Sequence, residues 1–201
     1  MMKFFLQTPL LFRTFAFLVA LILIASLFSA QLAPYDPYVT DPQLILKAPS
    51  AEHFLGTDNY GRDILSRILA GGKTSIFAAL FIIFVAGSLG SLIGLLAGYY
   101  RGRMDAMLMR VTDIFQAFPD IVLAIAVAGV LGGGLFNAVL ALILTTWTQY
   151  ARLARSAAAA AREETYIHAA RLSGCNDARI LFLHILPNIA GPLLITAVLH
   201  V

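Results

Sequence analysis

Charged side chains are scarce in this sequence and occupy 12% of its 201 positions. Soluble domains are charged at about a quarter of their positions. Here 60% of the residues are hydrophobic, and they stand in long blocks. The composition therefore indicates an all-α polytopic membrane protein and excludes an ordinary soluble domain. In such a protein the net charge of +3 gives no reason to expect nucleic-acid binding, because its distribution matters more than its sign.

Cysteine and clustered metal ligands are nearly absent as well. The single cysteine, Cys175, excludes an intrachain disulfide and any CxxC metal or redox motif. The four histidines are dispersed, and none forms a helical-spacing pair beside a carboxylate, so no metal site is expected. The sequence also lacks G-x-S-x-G and H-E-x-x-H motifs, which argues against a membrane-embedded hydrolase.

Two stretches look like phosphate-binding loops, but their chemistry does not fit. In GTDNYGRD, Arg62 occupies the lysine position of a Walker A motif and Asp63 occupies the hydroxyl position. In GGKTS, the position that requires the first glycine holds Arg67. We therefore expect neither an ATPase site nor a cofactor in this chain.

Five apolar blocks predict transmembrane helices or the beginning of one. They are residues 12–28, 74–98, 111–131, 135–150 and 188–201. The last block has 14 residues, too few to span, so we expect the chain to end within a helix and to be a fragment. No A-x-A pattern follows the first block, which favours an uncleaved anchor over a signal peptide.

Lysine and arginine are distributed unequally between the two sides of these blocks. With the N-terminus inside, ten of the 14 basic residues are cytoplasmic, from Lys3 to Arg179, and four lie outside. The positive-inside rule therefore predicts a multi-pass protein with a cytoplasmic N-terminus. The predicted regions are a membrane anchor (1–31), a periplasmic segment (32–73) and a membrane core (74–201).

The periplasmic segment begins with a proline-rich stretch and ends with an amphipathic pattern. Asp63 starts this pattern, whose apolar residues recur at helical spacing. They are Ile64, Leu65, Ile68 and Leu69. We expect a turn and then a helix at the membrane interface, or alternatively a docking face or gate for an outer partner.

Several residues inside the expected spans are candidates for packing or transport. Asp113 stands three residues after Arg110, so we expect a local ion pair. Asp120 follows Pro119 near mid-depth, where backbone pairing is interrupted, and is the better candidate for a translocation pathway. A small residue also recurs at every fourth position of the second span, which predicts close helix packing. These residues are Ala86, Gly90, Gly94 and Gly98.

The segment 151–187 is cytoplasmic in this orientation and has a jointed pattern. One helix is predicted over 151–173, with Gly174 at its left-handed C-terminal position. Asn176 fits the N-cap of a second, short helix, which Pro187 is expected to end. The apolar side chains of the second helix need a groove, either in this protein, as in an ordinary interhelical loop, or in a partner. They are Ile180, Leu181, Leu183, Ile185 and Leu186.

HAARLSGCNDARILFLHILPN, residues 168–188, resembles the coupling motif of ATP-binding-cassette importer permeases. That motif runs EAA, three residues, glycine, and further on an LP ending. The candidate coupling residues are His168, Ala169, Ala170, Gly174, Cys175, Ile185, Leu186 and Pro187. His168 stands where the motif has glutamate, so any ion pair made by that glutamate is in question, but the shape of the joint is not.

Further stretches resemble the C-type subunit of the peptide and nickel permeases. They are LGTDNYGRDILSRILAGGKTSI, RVTDIFQAFPDIVLAI and WTQYARLARS. The first contains the outer signature, at Gly56, Thr57, Asp58, Gly61, Arg62 and Asp63. The resemblance implies a MetI-like importer fold, with about five helices present of about six.

The resemblance also implies import of peptides, nickel or nickel chelates through the bacterial inner membrane. The implied partners are a second homologous permease subunit, two cytoplasmic ATPase subunits that bind ATP and Mg²⁺, an outer solute-binding protein and membrane lipid. Closure of the ATPases would rotate the spans between two packings. The alternative is a secondary transporter without an ATPase, in which Asp113 and Asp120 relay protons.

Overall fold

The computed structural model describes residues 10–199. Residues 1–9 of the predicted anchor, with Lys3, and residues 200–201 of the predicted core, with His200, lie outside the described residues. Within that range the chain is helical, apart from turns and one isolated bridge between Thr57 and Asp63. The all-α prediction is confirmed. The elements are α1 (Leu10–Leu27), α2 (Ser29–Leu32), a 3₁₀ turn (Pro42–Leu44), α3 (Ile64–Tyr100), α4 (Gly102–Gln116), α5 (Asp120–Leu131), α6 (Leu135–Ala161), α7 (Thr165–Leu172), α8 (Asp177–Arg179), a π-helix (Ile180–Ile185) and α9 (Leu186–Leu199).

Three helical segments among the described residues are long and apolar enough to cross a membrane. They are Leu10–Leu27, Ile64–Tyr100 and Asp177–Leu199, the last formed by α8, the π-helix and α9 together. A fourth span results if the bent pair α4 and α5 is counted as one. The first two predicted spans are thus confirmed with shifted ends.

The third predicted span, 111–131, is not one straight helix. α4 and α5 meet at 79° across a break that contains Pro119. Pro119 has φ −56° and ψ 130°, outside the helical range, and it has no amide hydrogen to donate. The interruption beside Asp120 is therefore confirmed, whereas the sequence did not predict the start of α4 at Gly102 or the size of the bend.

The fourth predicted span, 135–150, is part of a longer helix. α6 runs to Ala161 and is not among the described helices that meet the length and hydropathy criteria for a span. Polar residues such as Thr145, Thr148 and Gln149 lower its hydropathy. Many α6 side chains are buried against other helices, so this helix does not need an apolar surface all round.

The amphipathic helix predicted before the second span is continuous with that span. α3 runs for 37 residues from Ile64 to Tyr100 without a break. The prediction of a separate interfacial helix is wrong, because no proline interrupts this stretch and its glycines are tolerated inside a helix.

The predicted helix 151–173 is also divided differently. α6 ends at Ala161, and Glu164 has an extended conformation with ψ 144° before α7 begins at Thr165. The side chains at the break bind elsewhere: Arg162 Nη1 donates to the Tyr99 carbonyl at 2.7 Å, and Glu163 lies 3.0 Å from Arg101 Nη1. These tertiary contacts outweigh the helix propensity of the alanine-rich sequence.

The described residues form two compact units, one ending at Ala78 and one starting at Ala79. In the second unit α5 and α6 form a helical hairpin, and α9 also packs on α6. The glycines of α3 lie against α6 so closely that a Cβ at Gly90 or Gly94 would overlap the carbonyl oxygens of Trp147 or Ala151. The close packing predicted from the small-residue repeat is confirmed.

Candidate functional site

The predicted joint lies between α7 and α8, and we call residues 165–179 the elbow. Gly174 has φ +80°, the left-handed conformation that glycine adopts after a helix. Asn176 caps α8, since its Oδ1 accepts a hydrogen bond from the Arg179 amide at 2.9 Å. Asp177 lies in the first turn of α8. The end of the first helix and the start of the second are therefore confirmed.

One side of the elbow packs on the core and the other side is exposed. The turn is closed by amide hydrogen bonds to the carbonyls of Ala169 and Ala170. Ile167 is fully buried, whereas Leu172 at the turn is 90% exposed. His168 is exposed too, so the imidazole that stands in place of the motif's glutamate lies on the surface. The elbow thus presents a fixed surface with an apolar tip.

The helix after the joint does not end at Pro187, and that prediction is wrong. Residues 180–185 form a π-helix, and Leu186 continues the chain into α9. A π-helix bonds to the fifth preceding residue and so shifts the backbone register ahead of the proline. Pro187 then lies in the first turn of α9, where a missing amide hydrogen has little cost.

The apolar side chains after the joint find part of their groove in this chain. Ile180, Leu181 and Ile185 are buried in a core cluster that also contains Tyr150. Leu183 is 63% exposed. The groove that the sequence requires is therefore supplied by the protein itself on one side of this helix, while the other side faces outward.

Tyr99 is a residue of this region that the sequence did not point to. Its hydroxyl donates to Asp177 Oδ1 at 2.6 Å, and the guanidinium of Arg171 lies 5.3 Å from the centre of its ring. Tyr99 and Asp177 are separated by 78 positions. No local spacing relates them, so only the tertiary fold reveals the contact.

Polar contacts connect α4 and the start of α5 with α6. Asp105 accepts from Arg155 at 2.7 Å, Asp113 from Arg152 at 2.6 Å, Thr148 from Gln116 at 3.2 Å and Asp120 from Gln149 at 2.7 Å. Residues with higher numbers in α4 and α5 generally bind residues with lower numbers in α6. The contacts thus join antiparallel helices.

The prediction of a local ion pair between Arg110 and Asp113 is wrong. The Asp113 carboxylate pairs with Arg152, 39 positions away, because α6 runs beside α4 and presents its own arginine. Helical spacing alone favours the local pair. The neighbouring helix offers the guanidinium at hydrogen-bond distance, and the carboxylate binds it.

A recess of about 550 Å³ opens at the break between α4 and α5. Asp120 lines it, and its Oδ2 is held by the Gln149 amide. The other lining residues are Gln116, Ala117, Phe118 and Pro119, together with Gln149. A carboxylate beside two side-chain amides offers both acceptors and donors to a polar solute. Asp113 is not part of this lining.

The outer signature residues form a compact turn. Gly56 and Gly61 have φ values of +76° and +74°, and a Cβ at Gly61 would overlap the backbone of Asp41. Thr57 pairs with Asp63 across the turn, and its hydroxyl bonds the backbone of the preceding segment. The glycines are therefore required by close backbone approach.

Asp58 stabilises this turn through several hydrogen bonds. It accepts from the amides of Tyr60 and Arg62 at 2.8 and 3.0 Å, and from Arg62 Nε at 2.8 Å. Removal from water raises the pKa of Asp58, but these hydrogen bonds and the Arg62 charge lower it overall to about 2. The carboxylate is thus held ionised within the turn.

Asp63 is buried at the centre of a second network. Its Oδ1 lies 3.0 Å from His53 Nδ1, and its Oδ2 accepts from the amide and the hydroxyl of Ser66, each at 2.8 Å. Burial raises the pKa of Asp63, but the hydrogen bonds from Ser66 and His53 lower it overall. The serine bonds the aspartate and not the histidine, so the three residues fix the loop and do not form a nucleophile–base pair.

An apolar groove of about 810 Å³ lies within the second unit, between α3 and the helix that contains α9. Leu80, Phe84 and Leu92 line one wall, and Phe182 and Leu194 line the other. In a bilayer such a surface contacts lipid chains or another helix.

Comparison with known proteins identifies the family. Residues 90–201 match the family described as binding-protein-dependent transport system inner membrane component. This match covers more than half of the chain and includes the elbow, the polar contacts and the recess. It confirms the MetI-like permease fold expected from the sequence.

Full-length relatives extend the comparison to most of the chain. A glutathione transport system permease protein of Pectobacterium atrosepticum is 45% identical over 173 residues, 85% of this chain and 58% of that protein. A probable D,D-dipeptide transport system permease protein of Escherichia coli is 42% identical over 188 residues, 94% of this chain and 63% of that protein. The nickel transport system permease protein of Escherichia coli is 37% identical over 200 residues, 100% of this chain and 72% of that protein. The chain thus spans less than two thirds of the first two of these relatives, and it belongs to the family of inner-membrane components of binding-protein-dependent transport systems.

Proposed function

We propose that this chain acts as a permease subunit of an ATP-driven importer in the bacterial inner membrane, with its N-terminus in the cytoplasm. The observation that carries the proposal is the elbow, a fixed turn with an exposed apolar tip inside the region that matches the family. A rigid turn transmits a displacement, whereas a flexible loop would absorb it. The chain itself is not an enzyme in this scheme, and ATP and Mg²⁺ are bound by partner subunits.

The proposed partners follow from the family. Its description refers to binding-protein-dependent transport, which supports an outer solute-binding protein as the donor of substrate. Two cytoplasmic ATPase subunits and a second homologous permease subunit complete the importer. We assign the contact with one ATPase to the elbow residues His168, Ala169, Ala170, Gly174 and Cys175. Ile185, Leu186 and Pro187 connect that contact to the last described span.

The proposed substrates are small peptides, nickel or nickel chelates. The names of the relatives refer to dipeptide, glutathione and nickel transport, which supports this range. We place the translocation pathway along the recess beside Asp120, because it combines a carboxylate with amides at the break in the bent span. The outer signature turn, with Gly56, Thr57, Asp58, Gly61, Arg62 and Asp63, is proposed as part of the outer face near the binding protein.

The secondary-transporter alternative is less well supported. A proton relay needs carboxylates along the pathway that can take up and release a proton. Asp113 is paired with the Arg152 guanidinium at 2.6 Å and does not line the recess. The relatives named above are permease subunits of transport systems, which also favours the importer.

Reconstitution tests the proposal. The chain is co-expressed with the permease and ATPase subunits encoded beside it, and the complex is placed in proteoliposomes with the solute-binding protein outside and ATP inside. Uptake of a labelled dipeptide or of nickel is expected to require internal ATP and to persist when an uncoupler collapses the proton gradient. Uptake that needs the proton gradient and no ATP would contradict it.

The same assay tests the pathway. Asp120→Asn is expected to raise several-fold the substrate concentration needed for half-maximal uptake, because it removes the negative charge of the recess. Asp36→Asn, in the outer segment, serves as the matched control. Equal uptake by the two variants would remove Asp120 from the pathway.

A further inference from the structure

Tyr99, in the last turn of α3, contacts three separate parts of the second unit. Its side chain is almost fully buried, and its hydroxyl donates to Asp177 Oδ1 at 2.6 Å. Arg171, in the last turn of α7, places its guanidinium 5.3 Å from the ring centre. Arg162, at the break before α7, donates from Nη1 to the Tyr99 carbonyl at 2.7 Å. One residue of α3 therefore binds the elbow on both sides of its joint.

The turn that follows Tyr99 is held by the same region. Arg101 has φ +56° and Gly102 has φ +59°, so the chain reverses through two residues with positive φ between α3 and α4. A non-glycine residue keeps this conformation only where its surroundings hold it. Arg101 is held by Glu163 at 3.0 Å and by the Ala159 carbonyl at 3.0 Å. The start of α4 is thus attached to the end of α6.

The hydroxyl of Tyr99, and not its ring alone, makes the connection to α8. A phenyl ring would fill the same space, but it could not bond the Asp177 carboxylate. Hydrogen bonds to a charged acceptor are shorter and stronger than neutral ones. Asp177 is the first residue of α8, directly after the joint, where a partner that pushes on the elbow would apply its displacement.

We propose that Tyr99 is a positioning residue for energy coupling, whose hydroxyl bond to Asp177 makes α3 and the α3–α4 turn move with the elbow. This inference rests on the proposed function, since it concerns how ATPase closure reaches the spans. When the bond is absent, the part of the elbow after the joint moves without α3, and ATP is hydrolysed without the matching transport step.

Tyr99→Phe in the reconstituted complex tests this role. The ratio of substrate transported to ATP hydrolysed is expected to fall roughly tenfold, the effect of losing one charge-assisted hydrogen bond. ATP hydrolysis and assembly of the complex are expected to continue. Tyr100→Phe is the matched control, because it makes the same change one position along, on a ring that is 45% exposed. Its ratio should equal that of the parent.

Asp177 variants distinguish coupling from simple packing. Asp177→Ala should reproduce the loss, Asp177→Asn should restore part of the ratio because its amide oxygen still accepts, and the double variant Tyr99→Phe with Asp177→Ala should be no worse than either single one. A parent-like ratio in Tyr99→Phe would overturn the inference and leave the importer function intact. If Tyr99→Phe fails to assemble, a parent-like ratio in Asp177→Ala, at an exposed position, overturns it equally. A parent complex without ATP-dependent uptake would remove both proposals.

Discussion

Single residues with several hydrogen-bond partners determine the local shape of the outer segment. Asp58 is one of them, and its pKa of about 2 lies below the ordinary value of 3.8. A carboxylate whose pKa is lowered by folding contributes stability above its unfolded pKa and loses this contribution as the pH falls through its folded pKa. We therefore expect the turn at 56–63 to loosen as the pH falls from 3.8 towards 2.

Asp58→Asn tests this expectation. An amide cannot hold Arg62 by charge, so the turn of the variant should already be loose at pH 4 and change little on further acidification. Pepsin, which acts in acid, should cleave the parent chain near Tyr60 increasingly quickly as the pH is lowered, and the variant quickly throughout. Asp36→Asn removes an exposed acid whose Oδ1 accepts from the Tyr38 amide at 2.8 Å, and it corrects for the pH dependence of pepsin itself. Parallel pH profiles for parent and Asp58→Asn would contradict the assignment.

The residues that the sequence predicted correctly act on their immediate neighbours. Gly174 and Asn176 end and start helices through bonds within a few positions, so their roles can be read from local pattern. Tyr99 and His53 bind residues that no spacing rule connects to them. Asp113 lies between these cases, because a local partner was available and a distant one bound it instead.

Among the helices, the contact of α3 with α6 depends most directly on small residues. A Cβ at Gly94 would overlap the Ala151 carbonyl and crowd the Ala154 methyl group. The α6 backbone would have to move away to admit it. Inserting a methyl group into such a contact costs about 1–3 kcal/mol.

Gly94→Ala should therefore lower the stability of the purified protein in detergent by about 1–3 kcal/mol, seen as a lower thermal unfolding midpoint. Gly129→Ala is the matched control in α5, because a Cβ there meets no atom within 4 Å among the described residues, apart from the backbone of its own helix. Alanine favours the helix more than glycine does, so the control should be neutral or slightly more stable. Equal losses in both variants would show that the effect comes from helical glycine in general and not from this contact.

The ends of the helices show why element boundaries were predicted less well than element types. Alanine-rich sequence favours a helix through 162–164, but Arg162 and Glu163 bind the end of α3 and the turn after it. Pro187 favours a helix end, but the π-helix before it lets the chain continue. In each case a tertiary contact or a change of hydrogen-bond register outweighs a local preference of a few kcal/mol at most.

For the whole molecule, the distribution of basic residues remains the basis for its orientation in the membrane. Ten of the 14 lysine and arginine residues fall on the side assigned to the cytoplasm. The proposed orientation would place the elbow inside and the turn at 56–63 outside. It would also decide which proposed partner can reach each of them, since an ATPase would meet only the inner side and a solute-binding protein only the outer side.

Two engineered cysteines test this orientation, with Cys175→Ser as the background. Tyr38→Cys and Leu172→Cys replace side chains that are 76% and 90% exposed, so both thiols should react readily. In spheroplasts with intact membranes, an impermeant maleimide should label Tyr38→Cys and leave Leu172→Cys unlabelled until the membrane is permeabilised. Labelling in the reverse order would invert the orientation, and the elbow could then not meet a cytoplasmic ATPase. Both thiols are labelled with the same reagent in the same Cys175→Ser background. The extent of labelling after permeabilisation measures the intrinsic reactivity of each thiol. Any difference that remains in intact spheroplasts is then due to the side of the membrane on which the thiol lies.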